Sequence, residues 1–250
     1  MSNLDKLYKL LIFSILLVIG TVDAQDAGDA ASAAPVSPVQ QALERARTEV
    51  RAGNQAGAVN ELEALFQGGF SAIGFVMADP ELASLAGYPA FDELAAKMEA
   101  QAYPCEHQDG FSDFDFWVGE WDVHVASGQF AGGNAITREQ RGCVLIEQWQ
   151  SVTGGTGSSI NYLDKATNEW VQLWTDASGG QIHIRGGLTD DGMLLEGTIH
   201  TVANGVTLPF RGLWTPLEDG RVRQFFEQSN DDGETWVPWF EGFYTRKETE

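Results

Sequence analysis

From Trp117 to Val125 the odd positions read Trp117, Gly119, Trp121, Val123 and Val125, while the even positions turn polar from Glu120 through Asp122 and His124. Alternation with period two predicts a strand with one buried face. A glycine between two tryptophans predicts a close backbone approach or a sharp bend. Beyond residue 114 this pattern recurs to the C-terminus. Apolar, aromatic-rich segments alternate with turn chemistry, as at Ser127-Gly128, Gly132-Gly133-Asn134, Gly154-Gly155, Ser178-Gly179-Gly180, Ala203-Asn204-Gly205 and Asp231-Asp232-Gly233. A spacing of roughly ten to twelve residues per strand suits an up-and-down barrel. The expected fold class is mainly β: a closed antiparallel barrel of about ten strands over 110–248, behind a small N-terminal helical region. An open sandwich of two sheets is the alternative.

Helical spacing governs residues 38–103. Ser37-Pro38 is a helix start, serine capping and proline at the first helical position. Ala42, Ala46 and Val50 follow on one stripe, and Gly53-Asn54 breaks it. Asn54 can cap a second helix carrying Ala58, Leu62, Leu65 and Phe66, which Gly68-Gly69 ends. A third pattern runs from about Phe70 to Ala86. A fourth follows Pro89, with Phe91, Leu94, Ala95 and Met98 on one stripe. Gly53-Asn54 with Ala56-Gly57-Ala58, and Asp79-Pro80-Glu81-Leu82 with Pro89-Ala90-Phe91, resemble one degenerate tetratricopeptide-type hairpin plus extra helices. One such unit cannot make the concave groove of a repeat array. Two readings follow: a cap or self-association contact, or a surface for a protein partner.

Lys6 and Lys9 precede an apolar core from Leu10 to Gly20, and Val22-Asp23-Ala24 supplies small residues for cleavage. Residues 1–24 read as a signal peptide, with an uncleaved anchor as the alternative. Residues 25–37 are small and polar and read as a disordered linker. The expected location is outside the cytoplasm, periplasmic or secreted. The formal net charge is −21. Phosphate backbones and anionic lipid surfaces repel such a protein, which disfavours nucleic acid and anionic membranes as partners. The two cysteines, Cys105 just before the barrel and Cys143 at the start of its third strand, suggest one disulfide in an exported chain. The bridge would close a loop of about 38 residues and contribute about 4 kcal/mol by loop entropy. A redox thiol is the alternative, but the pair forms no Cys-x-x-Cys motif.

Residues Phe114-Asp115-Phe116-Trp117-Val118-Gly119-Glu120-Trp121-Asp122-Val123 resemble the signature of a large family of mostly uncharacterised bacterial proteins. Further matches are Gly142-Cys143-Val144 with Glu147 and Trp149, Trp174 with Asp176 to Gly180, Trp214-Thr215-Pro216 with Asp219 to Gln224, and Trp236 with Phe240 to Tyr244. The resemblance covers nearly all of 114–246. It implies a calycin-like barrel, the group of lipocalins, fatty-acid-binding proteins and nitrobindins, and no established activity. Gly119-Glu120-Trp121 is similar to the Gly-x-Trp element that opens a lipocalin barrel. There an arginine from the last strands packs over the tryptophan, a structural role that Arg246 is placed to fill. Ser229-x-Asp231-x-Gly233-x-Thr235-Trp236 resembles the Asp-box of sialidases, which implies a structural hairpin rather than a glycosidase.

A barrel of this size either encloses a ligand cavity or fills with side chains. The candidate ligand contacts are polar or aromatic residues on otherwise apolar strands: Glu147, Trp149, Trp174, His183, Arg211, Gln224 and Glu227, with Gln172 between Trp170 and Trp174. Glu147 shares a parity with Cys143, Leu145 and Trp149. An inward carboxylate needs a partner, and Arg223, Arg211 or Arg185 is expected to supply a cation unless a ligand donor does. Haem of the nitrobindin kind needs an axial histidine in an apolar pocket. Of His107, His124, His183 and His200, only the last two are placed for it. There is no Gly-x-Ser-x-Gly elbow, and Gly154-Gly155-Thr156-Gly157 lacks the lysine and helix of a phosphate loop. No cofactor or metal is expected, and no catalytic residue is assigned. The leading expectation is a non-enzymatic binder of a small, mostly apolar molecule. The alternatives are a barrel isomerase or cyclase using Glu147 or Glu227, and an interaction module with a filled barrel.

Overall fold

The computed structural model describes residues 36–247. The segment read as a signal peptide, 1–24, and residues 25–35 of the linker lie outside the described residues. No described helix is long and apolar enough to cross a membrane.

Six helices come first: α1 (Pro38–Arg51), α2 (Gln55–Gln67), α3 (Ile73–Met77), α4 (Pro80–Ala83), α5 (Pro89–Ala102) and α6 (Pro104–His107). Gly53 turns the chain between α1 and α2 at φ +75°, and the Asn54 side chain accepts the Gly57 N–H to cap α2. The third expected pattern is two helices rather than one. Asp79 accepts the N–H groups of Glu81 and Leu82 with Pro80 at the first position, so a new helix starts where the old one cannot continue. The helices have their own core, including Leu43, Leu62, Leu82, Leu85, Phe91 and Met98.

Ten strands follow: β1 (Gly119–Val125), β2 (Phe130–Glu139), β3 (Val144–Ser151), β4 (Thr156–Asp164), β5 (Glu169–Asp176), β6 (Gln181–Thr189), β7 (Gly192–Thr201), β8 (Val206–Pro216), β9 (Val222–Gln228) and β10 (Val237–Arg246). Each pairs antiparallel with its neighbour in sequence, and β10 returns to β1 with Trp121 opposite Arg246, so the barrel is closed and not a sandwich. Closure leaves no free edge. The Arg246 guanidinium lies 4.4 Å over the Trp121 ring and donates to the Val118 carbonyl at 3.1 Å. Gly119 has φ +145°, a conformation that L side chains rarely adopt, and a Cβ there would displace that guanidinium.

Three local expectations are corrected. Trp117 is not on β1. It ends a 3-10 turn, Asp115–Trp117, and the alternation begins only at Gly119. Phe111, Phe114 and Trp117 are all buried, and a spacing of three places side chains on one side of such a turn. Cys143 does not begin β3. It closes the turn Gln140–Gly142, where Arg141 and Gly142 have φ of +53° and +88°, and the strand starts at Val144. Gly132-Gly133-Asn134 is not a turn, for all three residues lie within β2.

Cys105 and Cys143 form a disulfide that joins α6 to the β2–β3 turn. Arg138 reinforces the junction, pairing with Asp115 and donating to the Cys105 carbonyl. Arg141 stacks 3.6 Å over Tyr103 and pairs with Glu99 and Glu106. Replacing both cysteines by serine releases a cross-link between residues 38 apart. Urea unfolding should then show a loss of about 4 kcal/mol; an unchanged midpoint would remove the disulfide from the stability argument.

Candidate functional site

The barrel interior is divided. At the end where β1 begins, Phe114 stacks on Trp117 at 5.0 Å between ring centroids and meets Trp170 and Trp214 edge-on at 5.7 and 5.3 Å. Trp121 donates its indole N–H to the Trp117 carbonyl at 2.9 Å, and Trp170 donates to that of Gly110 at 3.1 Å. Leu145, Met193, Leu195 and Val222 complete a packed plug. The opposite end holds a cavity of about 340 Å³. Its walls are aromatic: Trp149 and Trp174 on one side, Phe226, Trp239 and Phe240 on the other, with Ile182 between. Gly157 makes room for the Trp174 indole and Gly212 for the Phe226 ring, since a Cβ at either glycine would overlap the ring.

Between plug and cavity runs a chain of buried polar side chains. Gln172 on β5 donates to Asn161 Oδ1 at 2.8 Å; Asn161 donates to Ser159 Oγ at 2.8 Å; Ser159 donates to Glu147 Oε2 at 2.6 Å. From the other side Asn134 Nδ2 donates to Glu147 Oε1 at 2.7 Å and lies 3.2 Å from the Tyr244 hydroxyl, which donates to Gln224 Oε1 at 2.6 Å. Seven side chains from β2, β3, β4, β5, β9 and β10 thus form one belt centred on Glu147. Asn134 Oδ1 is buried without a hydrogen-bond partner, and among the described residues neither Gln172 Oε1 nor Gln224 Nε2 makes a hydrogen bond to protein.

Glu147 is only 3 % exposed. Burial pushes its carboxyl up to about 7, more than the hydrogen bonds from Ser159 and Asn134 pull it down. Burial also raises the Tyr244 phenol well above its ordinary value, with the Glu147 charge adding to the effect. At the mouth, burial works against ionisation of Asp176. Hydrogen bonds from the Ser178 hydroxyl and from the Ser178 and Gly180 N–H groups nonetheless hold that carboxyl below the usual range.

The residues singled out in the sequence separate into two sets. Glu147, Trp149, Trp174, Gln172 and Gln224 all line the cavity. His183, Arg211 and Glu227 do not line it. His183 is exposed, because Ile182 and Ile184 take the inward positions on either side of it. Arg211 and Glu227 pair with each other at 2.7 Å on the outer wall, with the guanidinium 4.3 Å over Trp236. The cation expected to face Glu147 is also absent from it. Arg223 pairs with Glu241 and Arg185 with Asp164 and Glu169, all on the outside. Neutral donors, Asn134 and Ser159, take its place. No histidine lines the cavity, and His200 bonds Thr207 instead. Among the described residues no His, Cys, Asp or Glu group is placed to hold a metal ion.

Sequence reasoning missed Asn134, Ser159, Asn161 and Tyr244 as members of the belt, and Asp176 at the mouth. The parity of Asn161 with Ser159 on β4 carried a signal for those two, and Asp176 and Tyr244 fell within the segments of the resemblance. The Asp-box residues lie in the β9–β10 loop at the mouth. There Asp231 accepts from Ser229 and from the N–H and hydroxyl of Thr235, which holds its carboxyl at about 2.

The Glu147 environment fixes a pH dependence. In the unfolded chain its carboxyl returns to about 4.5, so between that pH and about 7 the folded state holds a proton that the unfolded state has lost. Stability therefore falls with rising pH across this window, by about 3 kcal/mol in all. Glu147→Gln should flatten that dependence and be the more stable protein at pH 8. Urea midpoints at pH 5 and pH 8 check it, and a variant that unfolds more easily at pH 8 would contradict it.

No protein-family model matches this chain, and no curated protein matches it. What stands of the resemblance carried by residues 114–246 is its architecture, a closed antiparallel barrel of ten strands.

Proposed function

We propose that this protein is an exported, non-enzymatic binder of a small, mostly apolar molecule. The ligand sits in the open half of the barrel with its polar end against the belt of Glu147, Gln172 and Gln224. One observation carries the reading: the barrel is packed at one end only, and the other end is an aromatic-walled cavity of about 340 Å³ that terminates in polar groups. That combination of size, apolar wall and few convergent polar groups is what a small-ligand site requires. The Gly119-x-Trp121 element under Arg246 supports a calycin-like carrier architecture. The Cys105–Cys143 bridge supports an oxidising compartment, periplasmic or secreted.

A second reading has one specific observation in its favour. A carboxyl poised at about 7 in a cavity suits general acid–base chemistry, as in an isomerase or cyclase. It is the weaker reading because both Glu147 oxygens are already engaged by Asn134 and Ser159. Glu227, the other candidate, is paired with Arg211 outside the barrel. A wholly filled barrel serving only as an interaction scaffold does not fit the cavity. A partner-binding role for the helical part is independent of it.

Titration with the neutral naphthalene dye Prodan tests the binding reading. Saturable one-to-one binding with a blue-shifted emission is expected. Ile182→Trp, which fills the cavity from its wall, should weaken that binding at least tenfold without unfolding the protein. Absence of saturable binding to the native protein would sink the reading.

A further inference from the structure

The open half of the barrel carries negative charge and no positive charge. Glu147 stands at its inner end and Asp176 at its mouth, and among the described residues no lysine, arginine or histidine lines it. The neighbouring arginines are used elsewhere, Arg185, Arg211 and Arg223 each paired with carboxylates on the outer wall. A carboxylate taken out of water without a counter-charge is unfavourable, and a ligand that brings the charge relieves it.

The hydrogen-bonding groups left over at the inner end have a definite sign. Glu147 accepts one hydrogen bond on each oxygen and keeps further lone pairs. Gln172 uses its amide N–H on Asn161, which leaves its carbonyl free. Against these acceptors stand the Gln224 amide and the second N–H of the Gln172 amide. An ammonium group offers three donors and no acceptor. A carboxylate or phosphate would meet the Glu147 carboxylate and the free Gln172 carbonyl, with only the neutral amide N–H groups of Gln172 and Gln224 to bind it.

We propose that the cavity takes a small protonated organic amine with a ring-bearing apolar body, its ammonium group set on the Glu147 carboxylate and the Gln172 carbonyl and its body held between the Trp149 and Trp174 indoles. The proposal rests on the binding reading above and specifies the ligand's charge. Indole faces attract cations that pass over them. The net charge of −21, with Asp176 at the mouth, favours encounter with cations over anions.

A pH signature follows. With the cavity empty, Glu147 titrates near 7 because burial disfavours its charge. An ammonium requires it ionised, so each pH unit below 7 costs amine binding about tenfold in affinity, and above 7 the affinity levels off. The other titratable groups on the cavity do not blur this. Tyr244 stays protonated throughout, and Asp176 stays ionised.

Calorimetric titration of the full chain with tryptamine, tryptophol and indole-3-propionate compares three bodies of one shape with a positive, neutral and negative end. At pH 8 tryptamine should bind at least tenfold more tightly than tryptophol, and indole-3-propionate most weakly. Tryptamine affinity should fall about tenfold from pH 6.5 to pH 5.5 while that of tryptophol stays constant. Glu147→Gln, which keeps the side-chain shape, should bring tryptamine to the tryptophol level. The wild-type series decides the matter even if that variant does not fold. Tryptophol binding as tightly as tryptamine at pH 8 would overturn the amine assignment and leave the cavity a binding site. If none of the three binds, the amine assignment fails, and saturable Prodan binding then shows whether the binding reading survives it.

Discussion

A ring of ten strands encloses more space than its inward side chains fill, and protein interiors do not tolerate voids without loss of contact. The chain meets this constraint at one end by folding the segment Phe111 to Trp117 across the barrel, so that Phe114 and Trp117 lie among Trp121, Trp170 and Trp214. Everything else follows from that plug. It anchors Trp121 through the Trp117 carbonyl, and Trp121 in turn supports Arg246, which stands where β10 returns to β1. The space beyond the plug stays open as the cavity.

The belt around Glu147 marks the boundary between those halves. A buried carboxylate would ordinarily be a defect, yet here it receives two neutral hydrogen bonds from strands on either side, Asn134 on β2 and Ser159 on β4. Those partners are held in turn by Tyr244 and Asn161. Such a network makes the interior specific about which side chain stands where. Its two ends, Gln172 and Gln224, both line the cavity.

Period two in β1 revealed the inward positions of Trp121 and Val123, and the parity of Glu147 with Leu145 and Trp149 revealed its burial. His183 shows how the same rule is misapplied. Its apolar neighbours, Ile182 and Ile184, lie one residue away and so on the opposite face, while Gln181 and Arg185 share its own. Arg211 and Glu227 were harder to place, because Phe225 also faces outward, under the Arg223 guanidinium at 4.5 Å. Asn134 was hidden in a Gly-Gly-Asn triplet that has turn chemistry but serves a strand, where Gly132 makes room for the Trp149 ring. The plug carried a spacing of three, too short a run to separate from loop. The belt was beyond reach, since Tyr244 meets Asn134 across 110 residues of chain and only closure of the barrel brings them together.

The disulfide and the mouth lie at opposite ends of the barrel. Cys143 sits in the turn from β2 to β3, on the plugged side, with the helices bound there through Cys105, Arg138 and Arg141. The cavity opens among the other set of turns, those of β3–β4, β5–β6 and β9–β10, where Gly155, Asp176 and the Asp-box loop are found. The cross-link and the cavity mouth are therefore housed in different turns of one sheet. A change of sequence in the mouth turns thus leaves the cross-link at the other end untouched.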